Sequence, residues 1–219
     1  ALLFKNKSTD FFSSIVANLA IGISMLLSLW LFISYISGHN VNESHLIYTW
    51  YATSGYFFEI GLLVDSLTII MSFIVTFISF FVHMYSIAYM KGDPSFKRFF
   101  IYTNFFTFSM LFIIFSNNFL QLFIGWELVG LSSYLLIGFW YNKPSAVNAN
   151  LKAFVVNRVG DIGLLLGVIL ILITSNSLNY TDFFDKLPLL RDNTINLIGC
   201  HIELLPFIAL LLFIGAAAT

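Results

Sequence analysis

Charge is the scarcest property of this sequence. Lys, Arg, Asp and Glu make up 10% of its 219 residues, against about 25% in soluble globular domains. With 59% hydrophobic residues and a mean hydropathy of +0.90, a water-solvated globule is excluded and a polytopic membrane protein is indicated. The single cysteine, Cys200, cannot form an internal disulfide, and the four histidines are too scattered to suggest a metal site. A net charge of −1 without a basic block excludes nucleic acid as a partner. What remains is apolar and rich in Phe, as expected of lipid-facing helices in an all-α bundle.

Long apolar runs mark about six membrane spans, near residues 11–37, 60–90, 99–115, 117–140, 147–174 and 197–219, the last incomplete. All of them fall in one membrane domain, residues 1–219. The second is over-long, so its ends should protrude or tilt. Between the first two spans, Leu46–Tyr51 and Tyr56–Leu63 flank Thr53-Ser54-Gly55 and predict a small β-hairpin at the membrane surface. Lys91-Gly92-Asp93-Pro94 breaks the second span, and Ser116-Asn117-Asn118 makes the third and fourth antiparallel neighbours. The loop from Ser175 to Asn196 reads as polar and mixed in charge.

Placing the amino end inside leaves Lys5, Lys7, Lys91, Lys97, Arg98, Lys143 and Lys152 on the inner side and only Lys186 and Arg191 outside. Seven against two sets the orientation and turns the hairpin outward. No cleavable signal peptide is visible. A start at Ala1 and a stop at Thr219, inside an apolar run, read as a piece of a larger protein. Heavy use of Phe, Ile, Leu and Asn suits an A+T-rich genome such as an organelle's.

Against that apolar background, Glu127 stands out. It is the one ionisable group in Asn117–Trp140, and nine residues beyond Asn118 it lies roughly 13 Å into the span. An ionised carboxylate at mid-bilayer costs about 2.5–3.5 kcal/mol on insertion scales, so such residues mark ion or proton paths. A fixed pair with a neighbouring helix is the alternative. In the fifth span Arg158 and Asp161, three apart, share a helix face and can neutralise one another. A cation near Glu127 that moves would let it take up and release protons, and Arg158 or a Lys on another helix would serve. A static Arg158–Asp161 pair fixing helix register is the competing reading. Gly160, Gly163 and Gly167 line the same helix, and the GxxxG spacing lets another helix approach closely.

His83 lies about 12 Å from the inner boundary at Lys91, as a proton relay or a packing histidine. Tyr85 and Tyr89 read as interfacial aromatics, and Asp65 as a carboxylate favourable to its helix dipole. Glu59, His39, His45, His201 and Glu203 fall near the outer boundary and read as solvated. Asn42-Glu43-Ser44 and Asn179-Tyr180-Thr181 are outward sequons, relevant only on a secretory route.

The runs HMYSIAYM (83–90), RFFIYTNFFTFSM (98–110), GWELVGLSSYLLIGFWY (125–141) and KAFVVNRVGDIG (152–163) closely resemble the antiporter-like chain 5 family of NADH:ubiquinone oxidoreductase, respiratory complex I, in its mitochondrial form. The resemblance implies a proton-pumping subunit of the mitochondrial inner membrane, in the membrane arm, with its amino end on the matrix side. It implies no cofactor in this chain; FMN, iron–sulfur clusters, NADH and ubiquinone would bind to other subunits. Partners would be other membrane-arm subunits, especially the neighbouring chain 4, and the lipid bilayer. The family glutamate matched by Glu127 belongs to a half-channel and pairs with a lysine on a later broken helix. Arg158 and Asp161 match polar positions beside it, and His83 matches a histidine linking neighbouring units.

One departure stands out. The family continues FIGA-x-GKSAQ where this chain reads FIGAAAT, so the pump lysine falls at Thr219 or beyond. A helix before Ala1, and the later helices with the second half-channel, belong to the family pattern but not to this sequence. A second polypeptide completing chain 5, or a longer chain, would supply them. The large subunit of an Mrp-type cation/proton antiporter or of a membrane-bound hydrogenase shares this core, and a structural piece that no longer pumps is a further alternative.

Overall fold

The computed structural model of the chain describes residues 7–39, 42–53, 56–191, 193–197 and 200–218. In chain order these form α1 (Lys7–Ile36), β1 (Glu43–Thr53), β2 (Tyr56–Val64), α2 (Ser66–Tyr89), α3 (Phe96–Ile114), α4 (Phe119–Ile137), α5 (Pro144–Ser175), α6 (Tyr180–Leu190), β3 (Thr194–Leu197), β4 (Cys200–Glu203) and α7 (Leu204–Ala217). The result is a helical membrane bundle with two small hairpins. Among the described residues, α1 from Phe12, α2, α4 and α5 are long and apolar enough to cross a membrane. α3 is as long as α4 but carries Thr103, Asn104, Thr107 and Ser109, which hydrogen-bond carbonyls of their own helix. That internal bonding keeps polar side chains tolerable between apolar neighbours.

The first hairpin is where the sequence places it, though longer. β1 and β2 pair antiparallel from Glu43↔Val64 to Thr53↔Tyr56, with register shifts between Leu46 and Tyr48 and between Thr49 and Tyr51. Of the expected turn, Ser54 and Gly55 lie outside the described residues, as do Ala1, Lys5 and Thr219. The second helix therefore begins at Ser66, not Ile60, because β2 holds residues through Val64. The start signal is Asp65: its carboxylate accepts from the Thr68 amide at 2.7 Å, capping α2. Gly61 sits inside β2 because a Cβ there would run into the Asn117 carboxamide, while its amide donates to Gln121 Oε1 at 3.0 Å.

Two stretches differ from the sequence expectation. The polar loop after α5 holds α6, whose Phe183 and Leu190 are buried against Phe119 and Ile171. Its cause is local: Phe183, Leu187 and Leu190 follow helical spacing, and Lys186 Nζ donates to the Ser175 carbonyl at 2.5 Å, a cation at the end of α5. The expected sixth span is divided between the β3–β4 hairpin, paired from Thr194↔Glu203 to Leu197↔Cys200, and α7. With 14 residues α7 is about 21 Å long, less than a bilayer crossing.

Lipid is as apolar as a leucine side chain, so close packing of small residues and polar contacts hold such helices together more than apolar burial does. α5 and α7 show the first device. A Cβ on Gly160 would strike Ala218 Cβ, one on Gly163 would lie 3.0 Å from Ile214 Cγ2, and one on Gly167 would lie 2.8 Å from Leu212 Cδ2. The glycine face read from sequence is therefore the α7 contact. The amino-terminal end of α4 shows the second device. Asn118, 2% exposed, caps α4 by accepting from the Gln121 amide at 2.7 Å and donates to the Glu59 carbonyl at 2.9 Å. Backbone bonds Phe119→Leu178 and Tyr180→Asn117 then tie the α3–α4 turn to the loop before α6.

Candidate functional site

Glu127 lies eight residues into α4, roughly 12 Å from its first turn. Across the α4–α5 interface, Arg158 Nη1 donates to Glu127 Oε2 at 2.5 Å. The same guanidinium nitrogen is 3.7 Å from Asp161 Oδ2, one turn further along α5. One cation thus stands between two carboxylates, near to Glu127 and farther from Asp161. Side-chain exposure is 28% at Glu127, 49% at Arg158 and 8% at Asp161, so Asp161 is the acid most removed from the surface. The sequence placed Arg158 and Asp161 on one face; the structure adds that Glu127 joins them.

Residues not singled out in the sequence complete the surroundings. The Arg158 guanidinium lies over the Phe154 ring, 5.1 Å from its centroid. Phe154 meets Tyr134 of α4 edge-on, with ring centres 5.5 Å apart. Gly130, Tyr134, Ala153, Phe154, Asn157, Arg158 and Asp161 line a hollow of about 10 Å³, the room of about one water molecule. Helical spacing was the available signal: Phe154 is four before Arg158, and Tyr134 seven after Glu127.

His83 is not part of this cluster. It is 1% exposed on α2, with Nδ1 donating to the Ser79 carbonyl at 2.8 Å. Nε2 has no hydrogen-bond partner among the described residues. His83 lines a separate cavity of about 320 Å³ with Ser79, Val82, Thr103, Thr107 and Leu136, among others. α4 contributes Leu136 to that cavity and Gly130 and Tyr134 to the hollow at Arg158. Tyr85 and Tyr89, both exposed, stack at 5.8 Å near the carboxy-terminal end of α2.

At the end of the bundle that carries the hairpins, His39, His45, His201 and Glu203 are exposed, and His45 Nε2 is 2.8 Å from Glu43 Oε2. Glu59 departs from the solvated reading. It is only partly exposed and accepts from Asn179 Nδ2 at 3.4 Å, so the Asn179 carboxamide of the second sequon is held against the protein. Beside it, the Tyr180 hydroxyl meets Ser116 Oγ at 3.0 Å. Burial pushes this phenol up to about 12, the Ser116 hydrogen bond opposing the shift, so it remains a neutral hydrogen-bonding group.

The helical fold, with an ionic cluster set between α4 and α5, defines a polytopic membrane protein. Solved structures share this fold: the Mrp complex from Dietzia sp. DQ12-45-1b matches with a TM-score of 0.73 at 19% identity, covering 96% of this chain and 23% of that one. An archaeal membrane-bound sulfane sulfur reductase matches with a TM-score of 0.67 at 18% identity, covering 95% and 40%. Residues 50–100 match the family described as NADH-Ubiquinone oxidoreductase (complex I), chain 5 N-terminus. Residues 116–218 match NADH:quinone oxidoreductase/Mrp antiporter, TM.

The chain belongs to the chain 5/subunit L family of NADH:quinone oxidoreductase. It is 46% identical to the NADH-quinone oxidoreductase subunit L of Neisseria meningitidis over 98% of its length and 32% of that protein. It is 40% identical to NADH-ubiquinone oxidoreductase chain 5 of Chondrus crispus over 96% of its length and 31% of that protein. It spans about a third of the length of the curated relatives it matches.

Proposed function

We propose that this chain forms part of a proton-translocating membrane-arm subunit of respiratory complex I, with Glu127 as the acid that takes up and releases the proton. The carrying observation is Arg158, whose guanidinium stands 2.5 Å from Glu127 and 3.7 Å from Asp161. A cation shared by two acids can hold Glu127 ionised when close and leave it ready to bind a proton when it turns to Asp161. Asp161 is then the alternative partner that keeps Arg158 neutralised in the membrane. His83, in its own cavity, is proposed as a relay toward a neighbouring unit and not as part of the switch.

The resemblance puts the family's pump lysine at Thr219 or beyond, and Ala218, just before it in sequence, packs on Gly160 beside Asp161. That placement supports a second cation arriving at the same cluster, from a longer chain or from a completing polypeptide. Electron transfer from NADH to ubiquinone, with FMN and iron–sulfur clusters, is assigned to other subunits. The neighbouring antiporter-like chain 4 is the proposed lateral partner. The compartment is proposed as the mitochondrial inner membrane, with the amino end of α1 on the matrix side, supported by the Lys and Arg distribution.

The Mrp-type antiporter reading keeps support from residues 116–218, whose family spans both kinds of complex; residues 50–100 favour complex I. Mass spectrometry of the native membrane complex that contains this polypeptide separates them. The complex I reading expects flavin and iron–sulfur subunits to co-migrate with it. Antiporter subunits without redox partners would overturn that reading in favour of ion exchange.

A further inference from the structure

Two carboxylates compete for Arg158, and the geometry does not obviously favour the one that wins. Asp161 is on the same helix at the favourable three-residue spacing and is the less exposed acid, so its charge is the less screened. Yet the guanidinium rests against Glu127 on the neighbouring helix. Something beyond the two carboxylates holds it there.

We propose that Phe154, braced by Tyr134, is the positioning residue that sets the Arg158 guanidinium on Glu127 in preference to Asp161. This rests on the reading of Glu127 and Arg158 as the proton-handling pair. Phe154 lies one turn before Arg158, on the amino-terminal side, and Asp161 lies on the other side. The ring attracts the cation to its face at 5.1 Å, inside the range in which a cation and an aromatic ring interact. It therefore draws the guanidinium away from Asp161 and toward α4. Helical side chains also lean toward the helix amino terminus, so the stacked arrangement follows the natural direction of the Arg158 chain.

Tyr134 gives the ring its orientation. It meets Phe154 at a 63° interplanar angle, an edge-to-face arrangement in which the ring edge of one partner faces the electron-rich face of the other. Tyr134 and Glu127 are seven apart on α4 and share a face. The aromatic pair and the ion pair thus bridge the same two helices side by side. The hollow below is bounded by Gly130 and Asn157, and no second cation is among its lining residues.

The test uses the intact complex in sealed vesicles and reads protons moved per NADH oxidised, with Glu127→Gln, Phe154→Leu and Phe154→Trp in parallel. Leu keeps an apolar group of similar bulk but no aromatic face, whereas Trp is bulkier with the strongest face. We expect Phe154→Leu to lower the Glu127-dependent share of pumping about five-fold and Phe154→Trp to keep most of it. A packing role predicts the reverse order, since Leu is nearer than Trp to Phe in bulk. Normal pumping with Leu, or Trp worse than Leu, would overturn the proposal. If Phe154→Leu does not assemble, Phe154→Met is read under the same expectation. Normal pumping in Glu127→Gln would instead strike the underlying function.

Discussion

On the proposed function, replacing Arg158 by Met is expected to leave NADH oxidation by the complex intact and to abolish the proton movement that depends on this chain. The variant removes the only cation within reach of both Glu127 and Asp161 among the described residues. Two acids are then left in a membrane segment without a partner, which is unfavourable while they are ionised. A hydrogen bond to a charged group contributes about 1.5–3 kcal/mol. Arg158 is 49% exposed in this chain, which places the effect near the lower end. That still corresponds to roughly a ten-fold factor lost from the equilibrium that holds α4 against α5 at this site. Arg158→Lys should retain part of the function, because a point charge pairs with one acid but lacks the planar fork that faces two. Vesicle pumping measured beside NADH oxidation checks both variants. Pumping by Arg158→Met at the wild-type ratio would show that the cation between the acids is a structural tie.

The second large effect is expected from Gly163→Leu. A Cβ there would already lie 3.0 Å from Ile214 Cγ2 and 3.2 Å from the Leu211 carbonyl, so a full leucine must push α7 away from α5. Overfilling of a packed interface costs about 1–3 kcal/mol. The consequence reaches the site, because α7 also brings Ala218 against Gly160, next to Asp161. Less assembled complex on a native gel and a lower thermal midpoint in detergent are expected. Gly130→Ala is the control: a Cβ at that position meets nothing within 4 Å, and assembly should be unchanged. Equal assembly of Gly163→Leu and Gly130→Ala would mean that the α5–α7 contact does not hold the bundle.

The parts of this architecture that were legible in the sequence are those written in local spacing. The membrane helices follow from apolar length, the hairpin from Thr53-Ser54-Gly55 between aromatic runs, and the Arg158–Asp161 face from a three-residue step. The glycine face of α5 was legible as a close-approach surface, though nothing local said that α7 would occupy it. Ile60–Val64 misled, because a run of Ile, Leu and Val suits either a strand or a helix. Pairing with β1 settled it in favour of the strand. α6 was hidden by Pro188 and mixed charge, although its buried Phe183 and Leu190 keep helical spacing.

The candidate site divides in the same way. Glu127 and Arg158 were each visible as improbable charges, but their 2.5 Å contact joins residues 31 apart and depends on how α4 lies against α5. No single-helix pattern carries that information. Phe154 and Tyr134 were hidden for another reason. Aromatics are common in such helices, and only the position of the guanidinium over one ring distinguishes them.

The most direct measurement of the central claim is the number of protons moved per NADH oxidised by the intact complex carrying Glu127→Gln, in sealed vesicles. Gln keeps the shape of the side chain and one acceptor oxygen, exchanges the other oxygen for an NH2 donor, and cannot ionise. The account predicts continued assembly and NADH oxidation with a lower proton ratio at every pH examined. An unchanged ratio would show that Glu127 carries no proton and that its pair with Arg158 only fixes the register of α4 against α5.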